Sequence, residues 1–226
     1  MNKTYLIVVS HPDDEILGFG GSGYKFTNAG DEVYPLILSG KVEARKDRPE
    51  TEELYKNIKN ANDLLGFKKP KLGDFPNIKF NNINHIDLVK FIESYIEEIQ
   101  PTHIYTHHPN DLNNDHHHTS ISCQAAARLF QRKDGIRELE ELCFMEISSS
   151  TDWAFPSNNS YFKPNLYIDI SSTIEKKIDA LKLYQNVLRI NPHPRSKEVI
   201  KSLANYRGSQ CNSYYAEAFE IVYKKV

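Results

Sequence analysis

Tyr5-Leu6-Ile7-Val8-Val9-Ser10-His11-Pro12-Asp13-Asp14-Glu15 is the stretch from which the fold can be read. Its first five residues are apolar or aromatic, and Ile7, Val8 and Val9 are β-branched, so they predict a short buried strand. Similar runs at residues 33–38 and 102–106 predict two more strands, and weaker ones at 143–147 and 166–170 add candidates. Helical patterns lie between them. Val89, Ile92, Ile96 and Ile99 form one stripe within residues 85–99, with Asn84 as the N-cap. Residues 50–65 predict a polar helix ending at Gly66. Ile174, Ile178 and Leu181 mark another helix, and Val199, Ile200 and Leu203 a last one, started by Ser196 and stopped by Gly208. Strands separated by helices predict one α/β domain over residues 1–226, a mainly parallel sheet with helices on both faces.

The 226 residues carry 28 Lys and Arg against 30 Asp and Glu, a net charge of −2. No basic excess exists to neutralise phosphates, which argues against a nucleic-acid partner. The apolar run at the start is far too short for a membrane span or a signal-peptide core. Cys123, Cys143 and Cys211 are odd in number and widely spaced, so the expected setting is a reducing cytoplasm.

In an open parallel sheet, ligands bind beyond the carboxyl ends of the strands. The first strand runs into His11-Pro12-Asp13-Asp14-Glu15. The third runs into His107-His108-Pro109-Asn110-Asp111-Leu112-Asn113-Asn114-Asp115-His116. Parallel strands bring these two loops together. Imidazole and carboxylate suit a divalent ion, and hydrolysis also needs a carboxylate that keeps off the ion and can take a proton from water. Adjacent Asp13 and Asp14 can divide those jobs. Six of the nine histidines fall between His103 and His118. Consecutive helical side chains diverge, so at most one of His116, His117 and His118 reaches an ion.

These residues resemble a family. His11-Pro12-Asp13-Asp14-Glu15 is similar to the signature of the LmbE/PIG-L-like zinc deacetylases, and Asp111-Leu112-Asn113-Asn114-Asp115-His116 to their second motif. Residues 148–153, 193–196 and 216–219 resemble further blocks of a bacterial branch. The resemblance implies a Rossmann-like fold and one Zn2+ per chain, or another divalent transition ion, held by His11, Asp14 and His116. It also implies Asp13 as general base and removal of acetyl from an N-acetylglucosamine-like sugar or glycoconjugate. Members often carry a histidine three residues before the last ligand, where this chain has Asn113. A departing amine needs a proton, so His193, held between Pro192 and Pro194, is a candidate acid. The alternative for that loop is a rigid lead-in to the helix capped at Ser196. Asp115, next to His116, either holds a ring N–H, with Asn113 also behind the ligands, or caps a helix.

Substrate contacts are expected from Asp111, Trp153 and Arg195, and from Arg45 and Arg48 beyond the second strand. The bland alternatives are a solvated loop for the two arginines and a core anchor for Trp153. A homo-oligomer is compatible with the sequence.

Gly18-Phe19-Gly20-Gly21-Ser22-Gly23 matches the dinucleotide fingerprint G-x-G-x-x-G. It begins nine residues after Val9, inside the first helix rather than at its opening. The opening carries Asp13, Asp14 and Glu15, which repel a pyrophosphate. The expected role of these glycines is close packing of a helix on the sheet. A non-catalytic carbohydrate- or metal-binding protein is the remaining alternative to a hydrolase or an oxidoreductase.

Overall fold

The computed structural model describes residues 2–42, 49–155 and 161–226. Strands β1 (Thr4–Val9), β2 (Glu32–Ile37), β3 (Lys71–Leu72), β4 (His103–His107), β5 (Glu141–Met145), β6 (Leu166–Asp169) and β7 (Ala216–Lys224) form one sheet in the order β3-β2-β1-β4-β5-β7-β6. The first five strands in that order run parallel. β7 is antiparallel to both of its neighbours. The mainly parallel α/β reading therefore holds. The sequence reading did not find β3, which has two residues, or β7, whose Ala216-Glu217-Ala218 start lacks a strong β pattern.

Every residue of β1 is buried, as expected for a central strand covered on both faces. Tyr5, Ile7 and Val9 point to a core shared with α1 (Asp14–Asn28), α2 (Thr51–Leu64) and α5 (Ile174–Lys182). Leu6 and Val8 point the other way, to a core shared with α3 (His85–Ile99) and α4 (Asn114–Ala126). The chain visits β1, β2 and β3 on one side and then crosses to β4 on the other. A crevice therefore opens between the carboxyl ends of β1 and β4, where the sheet order reverses. Among the described residues no helix is long and apolar enough to cross a membrane.

The glycine-rich run lies in the body of α1. A Cβ on Gly18 would come within 2.7 Å of Ile147, and one on Gly21 within 2.9 Å of Ile170. The same helix is also tied from the side. Gly21 and Ser22 give their backbone N–H groups to Glu217, and buried Lys177 bonds both Glu217 and the Leu17 carbonyl. Glycine here allows α1 to lie close to β5 and to meet that ion pair, with no role for a dinucleotide.

One boundary differs from expectation. Gly208 does not stop the last helix; it lies inside α6 (Lys197–Ser209), capped at its start by Ser196 as expected. The reason is contact with backbone: a Cβ on Gly208 would sit 2.5 Å from the Ser213 carbonyl oxygen. Gly208→Ala should therefore lower stability by about 1–3 kcal/mol, although propensity alone would give a gain of about 1 kcal/mol. A thermal melt with Tm at or above wild type would contradict this packing.

Candidate active site

The loop after β1 turns sharply. Asp13 lies at φ 102°, a left-handed conformation uncommon for a residue with a side chain, and α1 begins at the next residue. The turn directs Asp13 and Asp14 to different partners. His116, in the first turn of α4, faces them from across the crevice. Asp14 Oδ2 lies 3.4 Å from His11 Nδ1 and 3.1 Å from His116 Nε2. All three residues are buried, and these ligand-type atoms lie within 4.8 Å of one another.

The outer nitrogens of both rings are held. His11 Nε2 bonds Asp115 Oδ2 at 2.9 Å. His116 Nδ1 lies 3.1 Å from Asp111 Oδ2. That leaves His11 Nδ1 and His116 Nε2 turned toward Asp14, and His116 Nε2 is buried without a well-aligned hydrogen bond. An inward ring nitrogen with its outer N–H on a carboxylate is how proteins present imidazole to a metal. The donor set of two imidazoles and one carboxylate fits a divalent transition ion and leaves coordination positions for other ligands.

His107, Asp111 and His116 form a second close group. They suit an ion poorly. The rings of His107 and His116 stack at 3.7 Å with planes 12° apart, so their in-plane lone pairs run side by side instead of converging. His107 Nε2 also accepts the Ser10 backbone N–H at 2.9 Å. Burial, reinforced by the His116 charge, pushes His107 down to about 3, so it is a neutral ring that supports His116 from behind. The sequence reading assigns it no separate role, although it opens the loop expected after the third strand; in the fold it is the last residue of β4.

Other positions need correcting. Asp111 borders a cavity of about 450 Å³, but its side chain is turned inward. Its carboxylate is enclosed by His116, Ser150, Thr151 at 2.9 Å and the Asn113 backbone N–H at 2.9 Å. Asp115 reaches across to His11 rather than to its neighbour His116, and it also accepts the backbone N–H groups of Ile78 and Phe80 at 2.6 and 3.0 Å. Asn113 caps α4 through Oδ1, which accepts the Asp115 N–H at 2.9 Å. Arg195 Nη1 donates to Asp13 Oδ2 at 3.2 Å, and its Nε donates to Ser149 Oγ at 2.7 Å, so its head lies on the carboxylate expected to act as base. Trp153 is 47% exposed, which discards the core anchor, and its ring meets His193 edge-on at 5.5 Å. His193 Nδ1 accepts the Arg195 backbone N–H at 3.0 Å. Burial, with the charges of Arg195 and Arg189, lowers its pKa below the ordinary imidazole value. That shift disfavours the protonated form a general acid needs. Arg45 and Arg48 lie outside the described residues.

His116 also shows how an ion would compete with protons. Burial alone would lower its pKa, but Asp14 and Asp111 overcome this and raise it to about 10. Before an ion binds, His116 is protonated at neutral pH, and binding must displace that proton. The apparent affinity for Co2+ or Zn2+, measured by chelator competition, should therefore rise about tenfold per unit between pH 7 and pH 9. A flat profile would place the ion away from His116.

Known proteins resemble this chain over nearly all of its length. A family profile described as GlcNAc-PI de-N-acetylase, PIG-L, matches residues 6–127. The diacetylchitobiose deacetylase of Thermococcus kodakarensis is 25% identical over 97% of this chain and 83% of its own length. The structure of the N,N'-diacetylchitobiose deacetylase of Pyrococcus horikoshii superposes with a TM-score of 0.81 at 18% identity, covering 97% of this chain and 84% of that one. The 4-carboxy-2-hydroxymuconate hydratase of Pseudomonas putida KT2440 superposes with a TM-score of 0.79 at 19% identity, over 99% and 98% of the two chains. One fold thus carries both hydrolytic and hydrating enzymes, and the reaction must be argued from the site.

Proposed function

This chain belongs to the GlcNAc-PI de-N-acetylase, PIG-L family, and from that premise we propose that it removes acetyl from an N-acetylated amino sugar or small glycoconjugate. The observation that carries the reading is the division of labour between adjacent aspartates. Asp14 meets two buried imidazoles, while Asp13 points to Arg195 and stays off that group. A ligand carboxylate beside one that is not a ligand is what amide hydrolysis requires, and a simple binding site has no use for the second. The two named deacetylase relatives act on an N-acetylated disaccharide, which supports an amino-sugar substrate here.

His11, Asp14 and His116 would hold Zn2+, one per chain. The ion, when bound, supplies Lewis acidity for the acetyl carbonyl and for water. Asp13 accepts the proton of the attacking water. Arg195, already on Asp13, offers N–H groups to negative charge that develops at the carbonyl oxygen. Asn113 cannot supply a proton near neutral pH, and its Oδ1 is committed to the cap of α4. The lowered pKa of His193 makes it a poor holder of that proton. Asp13, protonated in the first half of the reaction, therefore returns the proton to the departing amine, while His193 and Trp153 form a wall against the sugar. Asp115 and Asp111 keep the imidazole ligands aimed. The enzyme would meet its small substrate in the reducing cytoplasm.

The test is an acetate-release screen over N-acetylglucosamine derivatives, with and without Zn2+. Metal-stimulated release of equal amounts of acetate and free amine is expected. Release from acetyl-lysine peptides with none from the sugars would overturn the substrate class. Asp13→Asn should keep its metal, measured by elemental analysis, and lose about 10²–10⁴-fold in kcat. Turnover within a factor of about three of wild type would remove Asp13 from the role of base. Arg195→Met should reduce kcat while metal content stays constant, because its interaction forms chiefly in the transition state. A rise in KM alone would make it a substrate-binding residue.

A further inference from the structure

Glu15 completes the first motif, yet it stands apart from the ion site. It is completely buried, and both of its carboxylate oxygens are occupied. Oε2 accepts the backbone N–H of Asp13 at 3.0 Å. Oε1 accepts the Tyr184 hydroxyl at 2.5 Å and Asn62 Nδ2 at 3.0 Å. Asn62 lies on α2 and is itself pinned through the Ile58 carbonyl at 2.8 Å. Tyr184 lies just beyond α5. Two elements remote in sequence therefore converge on one carboxylate, and that carboxylate holds one peptide N–H.

The peptide is the strained one. Asp13 occupies φ 102° with no glycine to ease it, and such conformations persist only where the surroundings over-determine them. The carbonyl side is fixed from the helix, since Asp13 O accepts the N–H groups of Ile16 and Leu17 at 3.1 and 2.9 Å. The amide side has Glu15. With both ends tied, the Cα–Cβ bond has a set direction, and the carboxylate it carries meets Arg195. A buried carboxylate is an expensive way to fill a core, and an apolar residue of similar size is often neutral or stabilising in its place. Its presence calls for a task that an apolar residue could not do.

We propose that Tyr184, Asn62 and Glu15 form a relay of positioning residues that holds Asp13 in its left-handed conformation, and so aims the base, without touching substrate or ion. The proposal rests on Asp13 acting as the base. Tyr184→Phe removes one hydroxyl and leaves the ring in its core. Misplacing a catalytic group by about 1 Å can cost ~10²-fold, so kcat should fall about 10- to 100-fold with KM and bound metal unchanged. Glu15→Gln, which keeps size and shape, should do the same.

A double-mutant cycle separates aiming from general structure. In an Asp13→Asn background, Tyr184→Phe should have no further effect on kcat, because the group it aims is gone. An equal loss in both backgrounds, or an unchanged kcat in the single variant, overturns the relay. Amide hydrogen exchange decides the matter independently of turnover. The Asp13 amide should exchange at least about tenfold faster in Tyr184→Phe, with the Leu17 amide unaffected. Unchanged Asp13 protection overturns the relay, even for an enzyme whose substrate has been misassigned. A wild-type protein that releases no acetate while the exchange result holds would instead overturn the substrate reading and leave the relay standing.

Discussion

Two carboxylates stand behind two imidazoles, and much of the site is arranged so that they can. Asp115 holds the outer nitrogen of His11, and Asp111 holds that of His116. A free imidazole ring turns about its bonds and can offer either nitrogen. With one nitrogen committed, the ring presents the other in a set direction. Each carboxylate is in turn over-determined. Asp115 takes two backbone N–H groups from the segment around Ile78 and Phe80, and Asp111 takes Ser150, Thr151 and the Asn113 amide. The site is thus tied to segments following β3, β4 and β5, and its geometry depends on the whole carboxyl edge of the sheet.

That arrangement explains why so much charge is buried. Asp13, Asp14, Glu15, Asp111 and Asp115 are all buried within a small volume. Burial pushes the Asp14 carboxyl up, but His116 and His11 reverse this and hold it well below the usual range. Burial dominates at Glu15 and raises it to about 7, because its partners are neutral donors and Asp13 is close. Neighbouring acids in one five-residue motif therefore live in opposite electrostatic settings. Environment, rather than residue type, assigns the work, in the way that paired carboxylates divide acid and base roles in many enzymes.

The helix that opens with these acids carries a second constraint. Close approach of α1 to β5 needs glycines at its face, while the Glu217–Lys177 pair holds backbone groups of the helix from the side. This places the helix start at the end of β1 and leaves room for α5 above it. Tyr184, beyond α5, then reaches Glu15. A motif that superficially matches a dinucleotide fingerprint serves, in this context, to pack the scaffold under the base.

The sequence by itself determined the central strands, the helices between them and the pair of loops that meet. Those depend on local periodicity and on the rule that ligands gather at strand ends, both legible along the chain. Singling out His116 from three consecutive histidines came with the family likeness; in the fold it is buried, with His117 and His118 less so. Only the tertiary structure decided what each carboxylate holds. Asp115 and His11 are 104 residues apart, and Glu15 and Tyr184 are 169 apart. No spacing rule connects such pairs. Asp111 was expected at a substrate, and packing beneath Ser150 and Thr151 turns its carboxylate onto His116 instead. The lowered pKa of His193 and the placement of Arg195 on Asp13 likewise follow from burial and neighbouring charge, which exist only once the chain has folded.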